Sequence, residues 1–249
     1  MTLLPDLAPL TGLAAFAAGV LNAIAGGGSF LTFPALVFAG VPPVAANATS
    51  AMAVSPGYLG STLGFRPELR ALPPALLWRE VGIAAVGGLL GAGLLLVTPA
   101  KVFSGIVPWL LLLATALFAL GPHIARLSGG EGHPRWRVPG LLGVSVYGGY
   151  FNGGLGILLM ALYTLTGESR LHTVNALKNL NSLVLSLLSV AAFALAGAIV
   201  WPQAVWMMLW ATAGGWAGAH LAKRLPVRWV RRLVIATGLV MSVVFFSRA

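Results

Sequence analysis

A chain of 249 residues that is 58% hydrophobic and only 8% charged, with a mean hydropathy of +0.92, is too apolar for an ordinary soluble domain. The absence of cysteine excludes disulfides, thiolate metal sites and cysteine nucleophiles. A net charge of +10 in so apolar a chain reads as basic loops at a membrane face, not as a nucleic-acid surface.

About 20 apolar residues cross a bilayer as helix. Residues 7–65 carry no charge at all, and 102–121 reads similarly. Long Leu/Ala/Val runs without period-two alternation exclude a transmembrane barrel, so the chain reads as an all-α polytopic membrane protein. The N-terminal stretch has Asp6 and no basic residue before Arg66, and so lacks the positive region of a cleaved signal peptide.

In chain order, an apolar helix beginning near residue 7 runs into Gly26-Gly27-Gly28. Glycine in mid-helix costs about 1 kcal/mol relative to alanine, and three in succession predict a break. A short apolar piece follows to about residue 40, then a helix over about 44–65, a basic loop with Arg66, Arg70 and Pro73-Pro74, and helices over about 76–97 and 102–120. Residues 122–138 are the most polar stretch and read as a cytoplasmic connector between a first half, 1–121, and a second, 139–249. The second half starts with an interrupted segment over about 139–166, broken at Asn152-Gly153-Gly154-Leu155-Gly156, and continues with helices over about 172–196, 203–222 and 229–246.

The halves resemble each other. A shift of 128 residues places Gly26 on Gly154, Gly28 on Gly156, Asn47 on Asn175 and Phe65 on Phe193; a shift of 127 places Gly87-Gly88 on Gly214-Gly215 and Gly91-Ala92 on Gly218-Ala219. Paired interruptions at matching positions are the pattern of repeat-built transporters. Charge orients the repeats. If each broken segment is a re-entrant hairpin, each half crosses three times and the second half is inverted. Arg66, Arg70, Arg79, Arg126, Arg135, Arg137, Arg170, Lys223, Arg224, Arg228, Arg231 and Arg232 then share one face, against Lys101 and Arg248 on the other. The positive-inside bias makes the crowded face cytoplasmic and puts both termini outside.

In this layout the second helix of each hairpin starts within the membrane, near Gly28 and Gly156, where a helix N-terminus favours negative charge. Gly26, Gly27, Gly28 and Ser29 form one candidate cradle; Asn152, Gly153, Gly154 and Gly156 form the other. The bland alternative is that these glycines only allow close helix packing. Lys178, about two turns into its helix beside Asn179 and one turn after Asn175, is an intramembrane cation and so a candidate anion contact, unless it snorkels to the interface. Its first-half match is Ser50; Asn47 and Thr49 lie nearby, and Asn47 and Asn175 read equally well as hydrogen-bonding glue between helices. None of the carboxylates at 6, 68, 80, 131 and 168 is expected mid-helix, which argues against an enzyme, an intramembrane acid–base relay and a cation site. No metal or cofactor motif occurs, so no cofactor is expected.

The stretch Gly26-Gly27-Gly28-Ser29-Phe30-Leu31-Thr32-Phe33-Pro34, the block Ala46-Asn47-Ala48-Thr49-Ser50 and the second-half Asn175-Ala176-Leu177-Lys178 resemble the TauE/SafE sulfite exporter family over nearly the whole chain. Leu162 departs from the pattern at the place matching Pro34. The resemblance implies a multi-pass transporter of the bacterial inner membrane for small sulfur-containing anions such as sulfite or organosulfonates. Its expected partners are the anion and the lipid bilayer, with self-association left open. An anion channel or a non-transporting membrane scaffold fits the residues as well.

Overall fold

The computed structural model describes residues 8–25, 27–127, 132–221 and 227–247, all of them helix, turn or connecting loop, with no strand among them. Eleven helices follow one another: α1 (Ala8–Ala25), α2 (Ser29–Phe38), α3 (Pro43–Gly64), α4 (Arg66–Arg70), α5 (Pro74–Val97), α6 (Ala100–Leu127), α7 (Arg137–Tyr150), α8 (Leu155–Leu165), α9 (Leu171–Leu195), α10 (Trp201–Leu221) and α11 (Val227–Phe246). Proline opens α3 and α5, where its missing N–H goes unused and its fixed φ suits a first helical turn. Glycines in the left-handed region close α2, α8 and α9: Gly40 (φ 83°), Gly167 (φ 98°) and Gly197 (φ 67°). At each, the next residue's N–H returns to the carbonyl five residues back, as in Val41 to Leu36, Glu168 to Tyr163 and Ala198 to Phe193.

Two boundaries differ from expectation. The helix expected over 102–120 runs on to Leu127, and α7 starts at Arg137, inside the stretch read as connector. Arg135 and Trp136 belong to a short 3-10 turn, Pro134–Trp136, that leads into it. At 1.5 Å per residue, α2 and α8, with 10 and 11 residues, reach only about 15–17 Å, half a hydrocarbon core. Among the described residues, Pro74–Val97 and Leu171–Leu195 are each long and apolar enough to cross a bilayer unaided.

The longest helix contacts are crossed between the halves. α1 lies along α10, and α7 lies along α5. Both seams use glycines at matching positions of the two halves. A Cβ on Gly91 would collide with the Val146 carbonyl, and one on Gly87 would come within 2.5 Å of Ser145; Gly218 and Gly214 meet the backbones of Val20 and Phe16 in the same way. Small residues are how membrane helices reach backbone distance. α3 packs on α9 and α6 on α11.

Gly91→Leu should therefore prise α7 from α5. Because the obstacle is backbone, the loss should exceed the usual overpacking cost of about 1–3 kcal/mol. Gly93→Leu, two residues along the same helix, meets open space and should be neutral. Thermal melting of the two purified variants in detergent checks the contrast.

The core has two parts. One is aromatic, with Phe33 stacked on Phe245 (5.6 Å) and edge-on to Phe151 (5.4 Å) and Phe103 (6.4 Å). The other is aliphatic around Leu141, Leu155, Leu159, Leu177 and Leu185, with Tyr163 among them.

Candidate functional site

The two chain breaks face each other in the middle of the bundle. A Cβ on Gly27 would lie 3.7 Å from Ile157 of α8, and one on Gly154 would lie 3.1 Å from the Phe30 ring of α2. The glycines at the two tips serve different physical needs. Gly28 has ordinary helical angles (φ −57°, ψ −36°); it is small because a Cβ there would sit 2.7 Å from the Ala18 carbonyl of α1. Gly154 takes the left-handed region at φ 74°, which L-residues enter only at a cost. Gly153 lies against the Phe151 ring, and its carbonyl accepts the Tyr147 hydroxyl at 2.6 Å. Gly156 is buried in the first turn of α8. Gly26 lies outside the described residues. For Gly154→Ala we expect a loss of more than about 1–2 kcal/mol, the cost of left-handed backbone plus a Cβ placed 2.9 Å from that of Ala114, read as a lowered melting temperature.

Most first-turn donors at the tips are already used. The N–H groups of Phe30, Leu31 and Thr32 bond to the Gly27 and Gly28 carbonyls, and those of Ile157 and Leu158 to the Gly154 carbonyl. What the tips offer an anion is thus the positive end of two helix dipoles and a few side chains more than a ring of open N–H groups. Ser29 is 4% exposed at the start of α2. Asn152, also 4% exposed, accepts the Tyr58 hydroxyl at 3.5 Å and leaves its amide nitrogen buried without a partner.

The remaining candidates fall into two groups. Asn47, Thr49, Ser50 and Asn175 are committed to hydrogen bonds within the fold. Asn47 donates to the Tyr150 carbonyl at 3.0 Å, joining α3 to the end of α7. The Thr49 hydroxyl accepts from the Val200 N–H at 3.0 Å, and Ser50 shares a 2.6 Å hydrogen bond with Thr32 of α2. Asn175 is more exposed and bonds back to the Leu171 carbonyl of its own helix. Lys178 and Asn179 are not committed. Both are buried, at 7% and 4% exposure, and among the described residues neither makes a hydrogen bond or ion pair. One turn beyond Lys178 the Ser182 hydroxyl is also buried and unpartnered.

One buried carboxylate was not expected from the sequence. Glu80 lies in the second turn of α5 and is 1% exposed. Its Oε1 accepts Arg137 Nε at 2.6 Å; its Oε2 accepts the Tyr163 hydroxyl at 2.5 Å and Asn181 Nδ2 at 3.1 Å. The signal that could have placed it is Pro73-Pro74, which starts the helix two residues earlier than the apolar run suggests.

The polarity of this bundle is reversed relative to a soluble protein. Leu195, Val97, Trp78 and Trp216 stand 72–91% exposed outside, while Thr32, Asn181, Ser182 and Glu80 are sealed inside. An all-helical body with an apolar exterior and a polar interior is a helical membrane protein. The family model for the sulfite exporter TauE/SafE matches residues 11–245, and the chain belongs to that family. A probable membrane transporter protein of Haemophilus influenzae is 29% identical over 245 residues, covering 95% of this chain and 93% of that one. The probable membrane transporter protein YfcA of Escherichia coli K12 is 29% identical over 243 residues, covering 92% and 85%, and the probable membrane transporter protein ORF9 of a Sinorhizobium species is 26% identical over 242 residues, covering 93% and 89%. No solved structure matches the chain.

Proposed function

We propose that the protein is a secondary transporter moving a small sulfur-containing anion, such as sulfite, a sulfonate or sulfoacetate, across the bacterial inner membrane by alternating access. The observation that carries this reading is Lys178: a buried lysine with no counter-charge among the described residues is costly in a membrane protein unless an anion visits it. The meeting of two helix N-termini, with Asn152's amide unpartnered beside one of them, supplies the same preference from the backbone. The scarcity of carboxylates argues against a cation as cargo.

In this reading α1–α2 and α7–α8 are re-entrant hairpins entering from opposite faces. Each opens one of two inverted repeats, 1–121 and 139–249, joined by a cytoplasmic connector in 122–138. Support comes from the half-membrane length of α2 and α8, and from the matched pairing of α1 with α10 and α7 with α5. The repeats rock around the tips while both termini stay periplasmic.

The test is uptake into proteoliposomes of radiolabelled sulfite, thiosulfate, sulfoacetate, taurine and acetate under imposed pH and anion gradients. Saturable flux of a sulfur anion and not of acetate is the expected result. Non-saturating, voltage-driven current would mark a channel, and no flux with no stabilisation by any anion would mark a scaffold.

A further inference from the structure

The Glu80 cluster joins the two halves at one end of the bundle. The carboxylate comes from α5 of the first half, and its donors come from the helices that follow the connector: Arg137 at the start of α7, Tyr163 near the end of α8 and Asn181 on α9. The Arg137 guanidinium also lies 5.2 Å above the Tyr163 ring, and Asn181 Nδ2 approaches the Tyr163 hydroxyl at 2.5 Å. Six residues into α5, Glu80 sits about 9 Å from the helix start, toward the face that carries Arg79, Arg135 and Arg170.

Among the described residues the other end has no ion pair between the halves. The repeat shift maps Glu80 to Met207, Tyr163 to Ala35, Asn181 to Ala53 and Arg137 to Pro9. Met207, Ala35 and Ala53 are buried. That end is held by apolar packing, including the Phe33, Phe103, Phe151 and Phe245 cluster, and by neutral hydrogen bonds such as Val200 N–H to the Thr49 hydroxyl. Two valences at the polar end remain unused while it is shut: Arg137 Nη2 and Asn181 Oδ1 are buried without partners, available to water once the end parts.

We propose that Glu80, with Arg137, Tyr163 and Asn181, is the latch of the cytoplasmic mouth, and that the two mouths of this transporter are held shut by different chemistry. A buried ion pair adds little net stability once desolvation is counted, and it fails abruptly when one partner is removed. Weakening it should therefore favour the conformation open at this end. The inference rests on the alternating-access reading.

The chain has no cysteine, so a single one can be placed without background. In inside-out membrane vesicles, Asn152→Cys at the hairpin tip should react slowly with a membrane-impermeant maleimide. Adding Glu80→Gln should raise the rate at least tenfold, and Tyr163→Phe, which removes one hydroxyl, at least threefold. Met207→Leu at the opposite end should leave the rate unchanged. If Glu80→Gln elutes as a polydisperse, unfolded species, Tyr163→Phe decides. Unchanged labelling in folded Glu80→Gln or Tyr163→Phe overturns the latch, as does an equal rise with Met207→Leu. Labelling requires no cargo: failure of anion uptake by the unmodified protein counts against transport, whereas unchanged labelling in a protein that does take up anion counts against the latch alone.

Discussion

Replacing Lys178 by methionine should cut the response to anion to about half or less while leaving the fold at least as stable. Methionine keeps the methylene packing of the lysine stem and removes an ammonium, on a residue 7% exposed, that is unpaired among the described residues. In the unmodified protein an anion at 100 times its dissociation constant stabilises by about 2.7 kcal/mol. In Lys178→Met that shift should fall to about 0.4–1.4 kcal/mol, because a charge-assisted hydrogen bond contributes about 1.5–3 kcal/mol and its loss weakens binding by roughly ten- to a hundredfold. Without anion, the variant no longer buries an uncompensated charge and should melt no lower than the unmodified protein. Thermal shifts with and without sulfite or sulfoacetate read both parts. A lower melting temperature with the anion response intact would assign Lys178 to packing and snorkelling.

The second large effect concerns stability. Glu80→Ala should cost about 3–5 kcal/mol, since it strands Arg137 and leaves the Tyr163 hydroxyl and the Asn181 amide without their acceptor. The lower part of that range is expected, because the Arg137 side chain keeps 16% exposure and can turn toward water. Glu80→Leu combined with Arg137→Met removes both charges and should recover most of the loss, as replacement of a whole buried pair by apolar groups often does. Melting temperatures of Glu80→Leu, Arg137→Met and their combination form the cycle. A double variant as unstable as Glu80→Ala would mean that the tyrosine and asparagine bonds, not the ion pair, hold the cluster.

The elements of the fold were readable where local chemistry decides them. Pro43 and Pro74 start helices because they lack an N–H, and helices are broken at Gly27-Gly28 and Gly153-Gly154. Partner choice was far less readable. Asn47 bonds a carbonyl 103 residues away and Thr49 an N–H 151 residues away, so no local pattern could separate these committed side chains from the uncommitted Lys178 and Asn179. Glu80 was misjudged for a related reason. Its burial depends on Arg137, which counts in the sequence as one more basic loop residue but in the structure neutralises a carboxylate 57 positions earlier. The glycine signal itself was ambiguous: Gly28 and Gly154 look alike in sequence, yet one is demanded by a neighbouring carbonyl and the other by its own φ.

The crossed seams also constrain how the protein is made. Ala8 of α1 accepts a hydrogen bond from Trp206 of α10, 198 residues later in the chain. At roughly 5–20 residues per second, ribosomes deliver α10 on the order of ten to forty seconds after α1. Throughout that interval α1 waits with its glycine-lined face uncovered, whereas α7 meets a completed α5 as soon as it emerges. Biogenesis is therefore lopsided: α7 docks at once, and α1 is the last to be locked down. A nascent chain truncated before Trp201 should be an open, protease-sensitive intermediate, recognisable by the uncovered face of α1.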